Sequence, residues 1–552
     1  MSRIIGDIDG KRALYEALTR YNYFPNQRAN VGELPPSITT RQYTPEIAEE
    51  LAAVADVGDR RGGGYDLVEY KATRYNNVPR VLGLIHPKSY ALLAKCIHDN
   101  WNVLQSVTGN ENSIVKPELH EEDKRLMVMN YEEPMAKVSR SHQKGFAKRF
   151  RVQADIANCF NSIYSHAIPW AAVGIPQAKT QKNDRQAWFN QLDMYQRKTK
   201  RNETQGIPIG SATSSVVVEL ILGCVDKILN DKGYEFYRYI DDYTCYCDSD
   251  EEAQRFLQDL GDELATYKLT LNLKKTIIED LPSAVEDTWV LELRGALPSR
   301  LQNAGENEPK LTATEVLTFI NRAIEVNKLT PDGSVLKYAV SLVMSHLDEH
   351  AAPWLIEPLL NLAWHFPVLL PLLDLILTNE QIDPAIYRTQ LIEIIRVNAD
   401  KRRSDGMAWP LHSLLRAGSI VEDELADKVI ASKDCVSICL LLEMGVHEQK
   451  VVAFVNSWLQ LASDYDKDNY WLLLYQLYFK ELIQEPYGDG VFDILKNNNV
   501  NFLPGERISA AENRCTEIQQ EMSSQAIRNI FSPVPPAAVD TVEQSSEESP
   551  EF

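Results

Sequence analysis

A chain of 552 residues is too long for one hydrophobic core and predicts two or three domains. With 44% apolar and 24% charged residues its composition is that of an ordinary soluble globular protein, and a formal net charge of −21 excludes one that coats nucleic acid indiscriminately. The eight cysteines include no CxxC pair, which argues against a zinc ribbon or redox motif and suits free thiols in a reducing cytoplasm.

The first stretch, MSRIIGDIDGKRALYEAL, is too polar for a secretory signal. Residues 1–296 mix short β-type runs with helical ones, among them RVLGLI from Arg80 to Ile85. Two basic clusters follow, KVSRSHQKGFAKRFR (Lys137 to Arg151) and RKTKR (Arg197 to Arg201). Either can hold a phosphate backbone locally or be a solvated face. In RFRVQADI, period-two alternation puts Phe150, Val152, Ala154 and Ile156 on one strand face and Arg151, Gln153 and Asp155 on the other. Asp155 is thus a carboxylate near a strand end, with Phe160 five residues on.

In TQGIPIGSATSSVVVELIL, Gly206, Pro208 and Gly210 predict a rigid turn that exposes backbone amides, and Ser211 opens a helix. EFYRYIDDYTCYC, Glu235 to Cys247, predicts a hairpin with Asp241 and Asp242 at its tip. Alone this is weakly specific, because Asp is common in turns. An amphipathic helix from Glu251 then leads into TLNLKKT, with Lys274 and Lys275 adjacent.

The turn formers of LPSRLQNAGENEPK predict a linker at 297–310. From 311 to 530 the strands disappear. A capping-box pattern, Thr312 to Glu315, opens the first helix, and further short helical segments start near Pro331, Pro353, Pro367, Pro384, Pro410, Val421 and Lys433. The series predicts an all-α HEAT-like repeat domain, with a plain bundle as the alternative. The apolar run Pro353 to Leu377 is broken by prolines, Glu357, His365 and Asp374, which fits buried helices and not a membrane span. Residues 531–552, rich in Pro, Ser and Glu, predict a disordered acidic tail.

The order strand-Asp, Gly-rich turn plus helix, Asp-Asp hairpin, helix-Lys resembles motifs A to D of the reverse transcriptase palm. The fold class implied is α+β, a right-hand-like fingers and palm domain followed by the helical repeats. Nucleotidyl transfer uses two divalent cations about 3.5–4 Å apart. Mg²⁺, or Mn²⁺ in its stead, prefers hard oxygen ligands and keeps several waters, so a few carboxylates suffice. Asp155 and Asp241 are the expected principal ligands and Asp242 an outer one. The resemblance gives Phe160 a place under the sugar of an incoming dNTP, Gln205 and Gly206 contacts to the nucleotide, and Lys275 or Lys274 the protonation or neutralisation of the leaving pyrophosphate. Arg74 and Arg80 are candidate triphosphate ligands in the fingers.

ADIANCFNSIYSHAIPWA, Ala154 to Ala171, resembles the extended motif A of the abortive-infection reverse transcriptases, and NVPRVLGLIHPKSYALLAKCI, Asn77 to Ile97, resembles their fingers segment. Cys159 departs from the second aromatic common there. The resemblance implies bacterial, cytoplasmic antiphage defence by a DNA polymerase that starts on a protein hydroxyl without a template. Single-stranded DNA would stay covalently attached, and the enzyme would form homo-oligomers, trimers or hexamers. A priming tyrosine is then expected, with Tyr15, Tyr21, Tyr23 and Tyr43 as candidates, Tyr43 foremost for its polar, loop-like setting. Two alternatives stand: an RNA-templated reverse transcriptase of a retroelement, or a polymerase fold kept as a scaffold.

Overall fold

The computed structural model describes residues 8–25, 32–56, 60–104, 109–120, 124–127, 134–298, 301, 310–331, 334–348, 351–378 and 382–504. The expected acidic tail lies outside the described residues, as does most of the expected linker.

The centre of the N-terminal half is a four-stranded antiparallel sheet in the order β4-β5-β3-β6. Its strands are β3 (Phe150–Asp155), β4 (Glu235–Tyr239), β5 (Asp242–Cys247) and β6 (Ile277–Asp280). The strand expected of RFRVQADI is present, but its burial does not alternate: Phe150 is half-buried, and Arg151 and Asp155 are buried along with Val152, Ala154 and Ile156. Arg151 is held by Glu279, and Asp155 by Asn272 and Lys275, while the face of Val152, Ala154 and Ile156 is the more deeply buried. The buried face packs on the helix Asp250–Thr266, and Arg238 and Tyr243 reach the helix Ala212–Asp231. The latter starts at Ser211, whose hydroxyl accepts from the Ser214 amide, as the sequence predicts. The basic helix Pro134–Gly145 lies on the other face, where Arg140 stacks over Tyr237 and Ser141 shares a 2.6 Å hydrogen bond with the Tyr246 hydroxyl.

A two-stranded hairpin, β1 (Leu67–Thr73) and β2 (Pro79–Ile85), forms a separate sheet. On one side the Gly83 amide donates to the Ile209 carbonyl of the Gly-rich turn. On the other, β1 is covered by helices of the C-terminal half. There the Asp405 carboxylate accepts from the Thr73 amide and hydroxyl, at 2.6 and 2.7 Å, and the Ser404 hydroxyl accepts from the Lys71 amide at 2.8 Å. The edge strand thus has its backbone donors satisfied by a helix N-terminus, which removes a template for edge-to-edge pairing.

The elements among the described residues from 311 to 504 are all helices, and the Thr312–Glu315 capping box is formed. The helices fall into two rows. Ala313–Leu329, Ala352–His365, Arg388–Asp400, Asp423–Ala431 and Glu448–Leu459 follow one another in the first, and Leu370–Leu377, Ser404–Arg416, Cys435–Glu443 and Trp471–Phe479 in the second, the row nearer β1. One sequence expectation is corrected here. A segment was expected to start near Pro410, but Pro410 is the seventh residue of Ser404–Arg416, whose first turn carries Asp405. Buried apolar residues from Leu14 to Leu503 form a single contiguous core, so the helical half and the strand-bearing half share their packing. No helix among the described residues is long and apolar enough to cross a membrane.

Candidate active site

The β4–β5 hairpin pairs Tyr239 with Asp242, leaving only Ile240 and Asp241 in the turn. A two-residue hairpin loop needs a left-handed residue, and Ile240 supplies it at φ 59°. This is a strained conformation for a β-branched side chain. The turn is held from the neighbouring strand as well, because the Ile156 amide donates to the Asp241 carbonyl at 3.2 Å. Register then places Asp155 directly opposite Asp242, with Asp241 one residue beyond. Three carboxylates therefore crowd the same end of the sheet.

Their electrostatics record the crowding. Removal from water and then the Asp155 charge push Asp241 up from the usual carboxylate range, against partial relief from Lys275 and Arg80. Asp242, although exposed at the start of β5, is pushed up to about 7 by partial loss of hydration, by Asp241 and by a hydrogen bond shared with Asp155. One cation already answers this charge. The Lys275 ammonium donates to Asp155 Oδ2 at 2.8 Å, and this contact raises the Lys275 pKa. Asn272 holds the other oxygen, its side-chain amide donating to Asp155 Oδ1 at 2.9 Å while its backbone amide donates to the Asp155 carbonyl at 2.8 Å.

No group of three or more His, Cys, Asp or Glu side chains among the described residues closes into a metal cage. The donor set nevertheless fits an open Mg²⁺ site. Its oxygens are hard, a lysine ammonium stands where a cation is wanted, and Mg²⁺ characteristically takes a few carboxylates plus water and substrate phosphate. Asp155, Asp241 and Asp242 would hold the ions, which would supply charge neutralisation for phosphoryl transfer.

The other candidate residues are distributed around this cluster. The Gly-rich turn is stitched to the segment after Asp155. The Gly206 amide donates to the Ile163 carbonyl at 2.8 Å and the Ile207 amide to the Phe160 carbonyl at 2.9 Å. The Gln205 side chain donates to the carbonyls of Asn161 and Ser162. Gly206 is required, since it has φ 78° and a Cβ there would come within 3.0 Å of the Asn161 carbonyl oxygen. Phe160 is buried, its ring lining a narrow gap with Met127, Val218 and Ile240. Cys159 is buried too, and burial pushes its thiol up. On β2, the Arg80 charge helps to lower the pKa of Asp241, and the buried Nε of Arg80 has no hydrogen-bond partner. Arg74 is exposed at the β1–β2 turn and is not brought to the carboxylates. Lys274 is exposed.

Tyr43 requires a correction. Its backbone is in a loop, as expected, but its side chain is fully buried, the hydroxyl donating to the Pro87 carbonyl at 2.8 Å within a cluster of Tyr23, Tyr90 and Phe502. Tyr15, Tyr21 and Tyr23 are buried as well. The apolar residues that later enclose Tyr43 are distant in sequence, so its local composition was misleading. The Arg197–Arg201 cluster is also spent internally, with Arg197, Lys198 and Arg201 paired to Asp193, Asp56 and Asp66.

Residues 101–285 match the model of the reverse transcriptase (RNA-dependent DNA polymerase) family. The match covers about a third of the chain, and the carboxylate cluster lies within it. No curated protein matches the sequence. Similar solved structures include apo telomerase from Candida tropicalis, at 10% identity over 75% of this chain and 73% of that one, with a TM-score of 0.30. Telomerase from Candida albicans in complex with a fragment of telomeric RNA is similar at 8% identity over 69% and 68%, with a TM-score of 0.28.

Two site residues escaped the sequence reading. Asn272 was signalled only by its place three residues before Lys275. Arg238 had a clearer signal, a charge on the otherwise apolar strand face of Phe236, matched by Glu219 and Asp226 seven residues apart in an apolar helix.

Proposed function

We propose that this protein polymerises deoxynucleotides by two-metal nucleotidyl transfer at Asp155, Asp241 and Asp242. The observation that carries the reading is the register of Asp155 opposite Asp242 with Asp241 at the adjoining turn, inside the stretch that matches the reverse transcriptase family. Asp155 and Asp241 would hold the cations with Asp242 in the outer position, and the cations would supply charge neutralisation; Lys275, which donates to Asp155 Oδ2, is the residue to protonate or neutralise the departing pyrophosphate. Phe160 selects against a 2′-hydroxyl, Gln205 and Gly206 contact the nucleotide, and Arg80 takes a triphosphate oxygen with its unpaired Nε. Arg74 joins it only if the fingers hairpin closes.

The finer reading is a bacterial abortive-infection enzyme, protein-primed, template-independent and oligomeric, with HEAT-like repeats in the helical half. Its support is the extended motif A from Ala154 to Ala171 and the two facing rows of helices. The second reading is RNA-templated synthesis, which the description of the matching family favours, and to which the burial of all four N-terminal tyrosine candidates adds weight. Incubation of the purified protein with each labelled dNTP and Mg²⁺, with and without an RNA template and DNA primer, separates them. A DNase-sensitive ladder on the protein itself, without added nucleic acid, supports protein priming. Extension only of the added primer, complementary to the RNA, supports the templated reading, and no incorporation in either tube overturns both.

A further inference from the structure

Behind the Asp-Asp turn lies a second charged cluster that the proposed chemistry does not use. Arg238 is 0% exposed and is held by two acids on the helix Ala212–Asp231. Its Nη1 donates to Glu219 at 2.8 Å, its Nη2 to Glu219 at 3.0 Å and to Asp226 at 2.7 Å, and its Nε to Asp226 at 2.9 Å. The acids are satisfied in turn: Ser113 donates to Glu219 at 3.0 Å, while Asn110 and the Tyr243 hydroxyl donate to Asp226 at 2.6 and 2.8 Å. The Arg238 backbone is bracketed as well, its amide donating to the Asn112 carbonyl and its carbonyl accepting from the Ile114 amide. A buried arrangement of one cation and two anions is weak evidence for stability, since well-packed apolar residues often do as well.

One contact points away from the cluster and toward the active site. Arg238 Nη1 also donates to the carbonyl of Ile240, at 2.6 Å. Ile240 is the left-handed residue of the turn, and the next residue is Asp241. A β-branched residue leaves that conformation unless something holds it. A guanidinium fixed by four carboxylate contacts presents its remaining donor in one direction only, because its donors form a rigid planar fork.

We propose that Arg238, locked by Glu219 and Asp226, is a positioning residue that keeps Ile240 left-handed and thereby holds Asp241 in the turn beside the Asp155–Asp242 pair for metal binding. The inference rests on the polymerase reading above but concerns a group that touches neither metal nor nucleotide. It implies a rescue that a merely structural role does not. Glycine adopts a positive φ without penalty, so Ile240→Gly should make the turn independent of Arg238.

The test measures Mn²⁺ binding by electron paramagnetic resonance and dNTP incorporation on full-length wild type, Arg238→Lys, Ile240→Gly and the double variant, with thermal melting as a fold control. Arg238→Lys keeps the charge but loses the fork. It is expected to weaken Mn²⁺ binding at least tenfold and lower kcat similarly, with the KM for dNTP within twofold at saturating metal. The double variant is expected to recover most of the Mn²⁺ affinity. Should Arg238→Lys fail to fold, Tyr243→Phe and Asp226→Asn carry the same comparison, each weakening Mn²⁺ binding several-fold and each rescued by Ile240→Gly. Wild-type affinity in a folded Arg238→Lys, or in the two substitute variants, overturns the proposal, as does loss of affinity without rescue. A wild type that neither binds Mn²⁺ nor incorporates dNTP overturns the polymerase reading instead.

Discussion

Asp155 is pulled two ways, and that tension makes its neighbourhood testable one side chain at a time. Lys275 and Asn272 occupy both of its oxygens. A cation arriving there must displace the lysine, so Lys275→Met is expected to tighten Mn²⁺ binding in the absence of nucleotide while slowing turnover by about 10- to 100-fold, because the proposed general acid is lost. Isothermal titration and a rate measurement check the two halves separately, and movement of both in the same direction contradicts the assignment. Asp242 provides a pH test. Its carboxyl, pushed up to about 7, holds a proton in the folded apo protein where the unfolded chain is already ionised. Its contribution to apo stability therefore falls as pH rises from the ordinary carboxylate range through about 7, and metal, which needs the carboxylate, binds more tightly over the same rise. Asp242→Asn is expected to abolish the first trend and flatten the second, with a melting temperature at pH 8 no lower than wild type.

The elements carrying these residues were unequally legible. The β3 strand, the Asp-Asp hairpin and the helix after Ser211 could be read because their signals are local: period-two alternation in RFRVQADI, aromatic and β-branched flanks around Asp241, a serine cap before an apolar run; the burial of Arg151 and Asp155 on the polar face was not legible. What could not be read depends on contacts far apart in sequence. Nothing near Thr73 announces that Asp405 will cap its strand, and nothing near Tyr43 announces Phe502. The Asp405 contact makes the helical half a support for the fingers hairpin that bears Arg80. Asp405→Ala leaves the buried Thr73 amide and hydroxyl without that acceptor, at about 1–3 kcal/mol. The expected result is a lower melting temperature together with a raised KM for dNTP and a nearly unchanged kcat. A drop in kcat with KM intact would place the effect in the palm instead.

Taken whole, the molecule joins an acidic, largely helical body to a small palm whose open face carries the basic helix Pro134–Gly145. The shared core means that residues 1–296 expressed alone would expose the apolar face of β1 and the seat of Trp471, whose indole donates to the Leu84 carbonyl at 2.9 Å. That fragment is expected to be insoluble or to lack the cooperative melting of the full chain. The central claim, that Asp155, Asp241 and Asp242 form a metal-dependent polymerising site, is tested most directly by incorporation of labelled dNTP with Mg²⁺ by wild type and by Asp241→Ala/Asp242→Ala, alongside Mn²⁺ binding and melting. The account predicts incorporation by wild type, at least a thousand-fold less by the folded double variant, and loss of its Mn²⁺ signal. Incorporation by the double variant at the wild-type rate would contradict it.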